Sequence, residues 1–339
     1  MDGSEHPARG HRAVQGIRRR CPDGGREPTR CARRARGGRG RQRLHRGAPP
    51  GLLHSRRRHP PGVPRRVAVP AGPRHARPAC GPADRAAVQR SPVSTGCLHR
   101  FGPERRGARL LCVPHAGASA DAYAPWVRDL GGALELWAVT PAGRRDRADE
   151  PLNRDPQRLV TEVVSALTAL DERPLFVFGH SMGALIGFEV AAELAGSPHQ
   201  PRAVIVSGSP APHIRSRHRE NDYTDDDLAE SLVDWGGTAQ ELVGDLELRE
   251  LLFPPLRADL QLCDRYHRTA PWASPVPLAA LAGRDDQVAP PSDVTPWEDY
   301  TTDFLGLRTF TGGHFFPATS RREVIDHVVS LAMQVLTRH

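Results

Sequence analysis

The residues best equipped for chemistry stand in one pentapeptide, Gly179-His180-Ser181-Met182-Gly183. A serine hydroxyl is a weak nucleophile at neutral pH and becomes useful when a rigid turn presents it to a base. Glycines two positions to either side permit a turn so tight that Cβ atoms there would collide with the neighbouring strand or helix. The flanks supply both elements. Leu175-Phe176-Val177-Phe178 reads as a short buried strand. Residues 184–195, rich in Ala and Leu, read as a helix closed by Gly196. A strand, a tight turn and a helix form the context in which this pattern exposes a nucleophile.

A nucleophilic serine needs a base, an acid to orient that base, and donors for the oxyanion. The apolar run 278–282 leads into Gly283-Arg284-Asp285-Asp286-Gln287-Val288-Ala289-Pro290, and the run 307–310 leads into Thr311-Gly312-Gly313-His314-Phe315-Phe316. His314, on a loop behind two glycines, is the expected base. Asp286, three residues after Gly283 and four before Pro290, is the expected acid, with Asp285 beside it as the alternative. Of the two expected donors, one is the backbone N–H of Met182. The other is assigned to Ala116, in the small-residue loop Pro114-His115-Ala116-Gly117-Ala118-Ser119-Ala120 after the strand-like run 108–113. His115 is read as structural or substrate-facing because of its place in that loop. The chain order serine, acid, histidine is that of the α/β-hydrolase fold. The expected class is therefore α/β, a mostly parallel sheet flanked by helices.

Together these segments resemble the type II thioesterases of polyketide and nonribosomal peptide biosynthesis. The resemblance runs from about Val93 to the C-terminus. It rests on Pro114-His115-Ala116-Gly117, Gly143-Arg144-Arg145-Asp146-Arg147, the serine pentapeptide with Ala184, Gly283-Arg284-Asp285-Asp286 and Gly312-Gly313-His314-Phe315-Phe316. The chain departs from the family pattern at Ala118, where a second glycine is usual, at Ala142 before Gly143, usually proline, and at Pro317, usually leucine. The resemblance places nucleophile, acid and base on Ser181, Asp286 and His314. It implies a helical lid inserted at about residues 210–275, and there Asp225-Asp226-Asp227-Leu228 opens a helical run with acids in its first turn. Further helical runs are expected at 241–252 and 256–267. It also implies hydrolysis of acyl groups carried on the phosphopantetheine arm of acyl or peptidyl carrier protein domains, in an editing role, with no cofactor of the enzyme's own. An esterase or acyl-CoA hydrolase acting on free small molecules is the alternative.

The first 92 residues have a different composition. They contain no Phe, Trp or Tyr, and they carry 23 Arg against 5 acidic residues, a net +18. The other 247 residues carry 24 Arg against 34 acidic residues, a net −10, and together these give the chain's +8. A segment so poor in large apolar side chains cannot offset the entropy lost on ordering, so residues 1–92 are expected to be a disordered leader. A nucleic-acid-binding tail, a transit peptide and a mis-assigned start are the three readings of such a segment. The last is favoured: the chain has no lysine, and out-of-frame translation of GC-rich DNA yields this Arg, Pro, Gly and Ala bias. Residues 93–339 are then one hydrolase domain. The N-terminus has no apolar signal segment and the chain no run of 18 apolar residues. Cys21, Cys31, Cys80, Cys97, Cys112 and Cys263 show no metal or disulfide spacing. A cytoplasmic monomer is expected, without a membrane partner and with nucleic acid ranked last.

Overall fold

A computed structural model describes residues 93–215, 222–236, 244–268 and 270–338. The expectations placed on residues 1–92, and on the parts of the insertion at 216–221 and 237–243, lie outside the described residues. The apolar runs become strands of one eight-stranded sheet in the order β1-β2-β4-β3-β5-β6-β7-β8. They are β1 (Val93–Thr95), β2 (Leu98–Phe101), β3 (Arg109–Val113), β4 (Glu135–Val139), β5 (Leu175–His180), β6 (Ala203–Ser207), β7 (Leu278–Gly283) and β8 (Phe304–Phe310). The six strands from β4 to β8 in that order run parallel, and β1 and β2 add an antiparallel edge. β3, β4, β5, β6 and β7 are buried at every position. That is why they read as continuous apolar runs, since both sheet faces are covered.

Alternate side chains of β5 enter opposite layers of core. Leu175 and Val177 join one layer, with α2 (Pro156–Thr168) and α3 (Met182–Glu193). Phe176 and Phe178 join the other, with α1 (Trp126–Leu130) and the C-terminal helix Arg321–Thr337. Parallel strands also gather their C-terminal ends at one edge of the sheet, and the segments that directly follow β3, β5, β7 and β8 there carry every candidate site residue.

The insertion between β6 and β7 contains α4 (Asp225–Asp234) and α5 (Leu246–Arg265). Thr224 and Asp227 close a reciprocal capping box at the start of α4. The two helical runs expected at 241–252 and 256–267 differ from what is found. Pro254 and Pro255 lie inside the single helix α5. Proline removes two backbone donors here, yet Phe253 and Leu256 pack with Leu228 of α4 in one cluster, which keeps the two halves in line. β8 also begins three residues earlier than the apolar run 307–310 indicated. Its register with β7 shifts at Leu278/Ala279 and Gly306 has φ +104°, so a bulge absorbs the glycine inside the strand. Among the described residues no helix is long and apolar enough to cross a membrane.

Candidate active site

β5 ends at His180, and α3 starts at Met182. Ser181 alone makes the reversal, at φ 55° and ψ −118°, a conformation that costs a non-glycine residue energy and persists only when its surroundings enforce it. The enforcement is steric. A Cβ built on Gly179 would stand 2.0 Å from the carbonyl oxygen of Gly183, and one on Gly183 would stand 2.1 Å from the carbonyl oxygen of Val113. Backbone thus packs against backbone across β3, β5 and α3, and the Ser181 side chain is left facing the loops.

His314 Nε2 lies 3.1 Å from Ser181 Oγ, and its Nδ1 lies 2.9 Å from Asp286 Oδ2. Asp286 is 1 % exposed, and its other oxygen accepts the N–H groups of Val288, at 2.8 Å, and Ala289, at 3.0 Å. Asp285 is exposed, its N–H spent on the carbonyl of Gly312. Of the two adjacent aspartates, only Asp286 reaches the histidine. With an ionised carboxylate at Nδ1, that nitrogen carries the proton and Nε2 is left to accept from the serine hydroxyl.

Met182 and Ala116 line the same cavity as Ser181 and His314, a space of about 740 Å³. Among the described residues no hydrogen-bond acceptor takes the N–H of Ala116, and Met182, at the first position of α3, has no partner within its helix. Both residues flank Ser181 in this cavity. Tyr223, Leu232, Trp235, Leu252, Leu256 and Leu260 of the insertion make much of the remaining wall. The arrangement can deprotonate a serine, receive an acyl group beside it and enclose the acyl chain in an apolar space.

The family model described as the thioesterase domain matches residues 108–331. The chain belongs to the thioesterase family. It is similar to a protein of Streptomyces griseus described as a probable cadicidin biosynthesis thioesterase, 36% identical over 82% of this chain and 81% of that protein. Among solved structures it resembles the type II thioesterase BorB from the borrelidin biosynthetic cluster, with 30% identity, a TM-score of 0.63, and coverage of 71% of this chain and 99% of that one. It also resembles YbtT, a type II thioesterase from the yersiniabactin NRPS/PKS pathway, with 29% identity, a TM-score of 0.64, and coverage of 70% and 99%.

In this thioesterase the charges around the serine are arranged asymmetrically. Burial works to raise the pKa of Asp286, but the hydrogen bond and charge of His314 and the two backbone N–H bonds outweigh it and hold the carboxyl below its usual range. Burial, and then the nearness of His314, lower His115 to about 4. Burial likewise takes His180 well below the usual histidine value, with His314 and His115 adding to the effect. Two of the three clustered imidazoles therefore stay neutral at neutral pH. His115 lines the cavity, its ring in a T-shaped contact with that of Phe315 at 5.0 Å between centroids. His180 is buried behind that lining, its ring 5.1 Å from that of His314 between centroids, and pairs with Ser207 Oγ at 3.0 Å.

Sequence reading missed two site contacts. Trp235, just after α4, lies 6.4 Å from the His314 ring, centroid to centroid. Arg144 and Asp259 meet in a buried ion pair at 2.7 Å against the loop that holds Ala116. Arg144 was visible only as part of a family motif. Asp259, 115 positions further along, had no local signal at all.

Proposed function

We propose that this thioesterase hydrolyses acyl groups from the phosphopantetheine arms of acyl or peptidyl carrier domains, in an editing role in polyketide or nonribosomal peptide synthesis. The observation that carries the reading is the hydrogen-bonded line from Asp286 through His314 to Ser181, opening on an apolar cavity. Ser181 Oγ attacks the thioester carbonyl carbon while His314 Nε2 takes its proton. Asp286 stabilises the imidazolium that forms. The N–H groups of Met182 and Ala116 receive the oxyanion. His314 returns the proton to the departing thiolate, then deprotonates the water that releases the free acid and restores Ser181.

The biosynthetic setting is supported by the descriptions of the relatives, and the acyl part of the substrate by the apolar wall from the insertion. The pantetheine arm belongs to the carrier, so the enzyme needs no cofactor of its own. Its working form is a cytoplasmic monomer that meets carrier domains in solution.

The test compares one acyl chain on two thiols. With purified enzyme, kcat/KM should be higher for the chain on a carrier protein than for the same chain on coenzyme A, and Ser181→Ala should lose on the order of 10⁶ in kcat on both. Equal or faster cleavage of the coenzyme A thioester would favour an acyl-CoA hydrolase or esterase. Near-normal turnover by Ser181→Ala would remove the serine mechanism itself.

A further inference from the structure

Helix α5 carries a buried carboxylate that none of these steps uses. Asp259 Oδ2 accepts the N–H of Gly117 at 2.7 Å and Nη1 of Arg144 at 2.7 Å, and its Oδ1 accepts Nη2 of Arg144 at 3.0 Å. The same Nη1 also donates to the carbonyl of Ala118 at 2.9 Å. Arg144 and Asp259 are both buried. One ion pair therefore joins three separate segments, namely the loop after β3, the loop after β4, and the insertion.

Its two loop contacts, the N–H of Gly117 and the C=O of Ala118, directly follow Ala116. This is a stretch of small residues with little side-chain packing of its own, and Gly117 sits at φ +79°. A Cβ on Gly117 would stand 3.3 Å from Leu256, so loop and helix meet without slack. Stability is a weak explanation for the pair, because charges taken out of water recover little more than their desolvation cost. Precision is a better one. An oxyanion donor works only when held near its productive position, and charged partners hold backbone groups more strongly than neutral ones.

We infer that Asp259 and Arg144 are positioning residues. They fix the loop so that the Ala116 N–H points at the developing oxyanion, and helix α5 thus completes the oxyanion site. The inference rests on the serine-hydrolase reading above, in which Ala116 is a donor.

The experiment uses the full chain, a fluorophosphonate that labels the active serine, and turnover of an acyl-coenzyme A. R144M/D259L removes both charges together and leaves neither buried alone. Its kcat and its labelling rate constant should each fall about 10²-fold, the scale of an ångström-size misplacement, with KM within about threefold of wild type. The labelled fraction should stay at one per chain. A merely structural role would lower the labelled fraction or the melting temperature and leave the rate per labelled site alone. Arg144→Lys keeps the charge beside Asp259 and should recover part of the loss. If the double variant fails to fold, Asp259→Asn is read in the same way. Rates per labelled site within threefold of wild type in the variant that folds would overturn the inference. Ser181→Ala separates the two levels of the argument: undiminished labelling there would mean that the serine reading had failed instead.

Discussion

Asp286→Asn replaces one atom, and the surroundings dictate how the new side chain must sit. In the native protein one carboxylate oxygen accepts two backbone N–H groups, from Val288 and Ala289, and the other faces His314 Nδ1. An asparagine can satisfy those two donors only with its carbonyl oxygen, so its NH₂ must face the histidine. An NH₂ group donates. His314 then presents an unprotonated Nδ1 and carries its proton on Nε2, the nitrogen 3.1 Å from Ser181 Oγ. The base would then meet the serine with a proton where it needs a lone pair. The packing can stay intact while the tautomer is reversed, so the loss should appear in the chemical step. A loss of about 10⁴ in kcat is expected, the size of the corresponding change in trypsin, equivalent to about 5 kcal/mol of transition-state stabilisation. Single-turnover acylation of the purified variant, alongside Asp285→Asn, gives the measurement. Asp285 faces solvent, and its replacement should change kcat less than about threefold, as for surface substitutions away from such features. Acylation by Asp286→Asn within tenfold of wild type would refute the tautomer argument, and a greater loss in Asp285→Asn would move the acid by one residue.

Three further outcomes follow from the same geometry. Gly183→Ala puts a Cβ 2.1 Å from the Val113 carbonyl, where ordinary contact begins at 3.4 Å. Backbone must therefore yield by more than an ångström between the end of β3 and the start of α3, and kcat should drop about 10²-fold with 1–3 kcal/mol lost in urea unfolding, roughly the range for overpacking. Stability should fall as pH drops below about 6.5, because the unfolded chain binds protons that folded His115 and His180 refuse. The His115 share, at most about 3 kcal/mol, should be complete near pH 4, and His115→Gln should flatten the urea-midpoint profile over that interval. The Asp286 contribution has the opposite origin: it is present above the unfolded carboxyl value of about 3.9 and is lost only as pH falls through the lower folded one. Finally, a chain beginning at Val93 should match the full chain in melting temperature and thioester turnover, and a clear drop in either would contradict the expectation that residues 1–92 form a disordered leader.

Much of the fold and the heart of the site were legible because they rest on short-range constraints. The elbow is five residues long, and its glycines answer to clashes between backbone atoms a few positions apart. The parallel strands announced themselves as apolar runs because both faces of the sheet are covered. Other local signals are also present in the sequence. Asp155 and Pro156 mark the start of α2, with the Asp155 side chain accepting from Gln157 N–H. Two expectations differ from the structure: the separate helical runs at 241–252 and 256–267 are one helix carried by packing through Pro254 and Pro255, and the strand expected at 307–310 begins at Phe304, with a bulge accommodating Gly306.

What the sequence determined alone is the local chemistry: a serine on a forced turn, a histidine behind two glycines, and two adjacent aspartates, with the family likeness that these motifs carry. Only the tertiary structure decided between Asp285 and Asp286, because one position of rotation along a loop separates a buried carboxylate at 2.9 Å from one in solvent. It alone joined Arg144 to Asp259 and Trp235 to His314. Those contacts depend on strand order and on how the insertion folds back over the sheet. Neither leaves a periodic trace in the chain, because the partners lie up to 115 residues apart and meet through packing of whole elements.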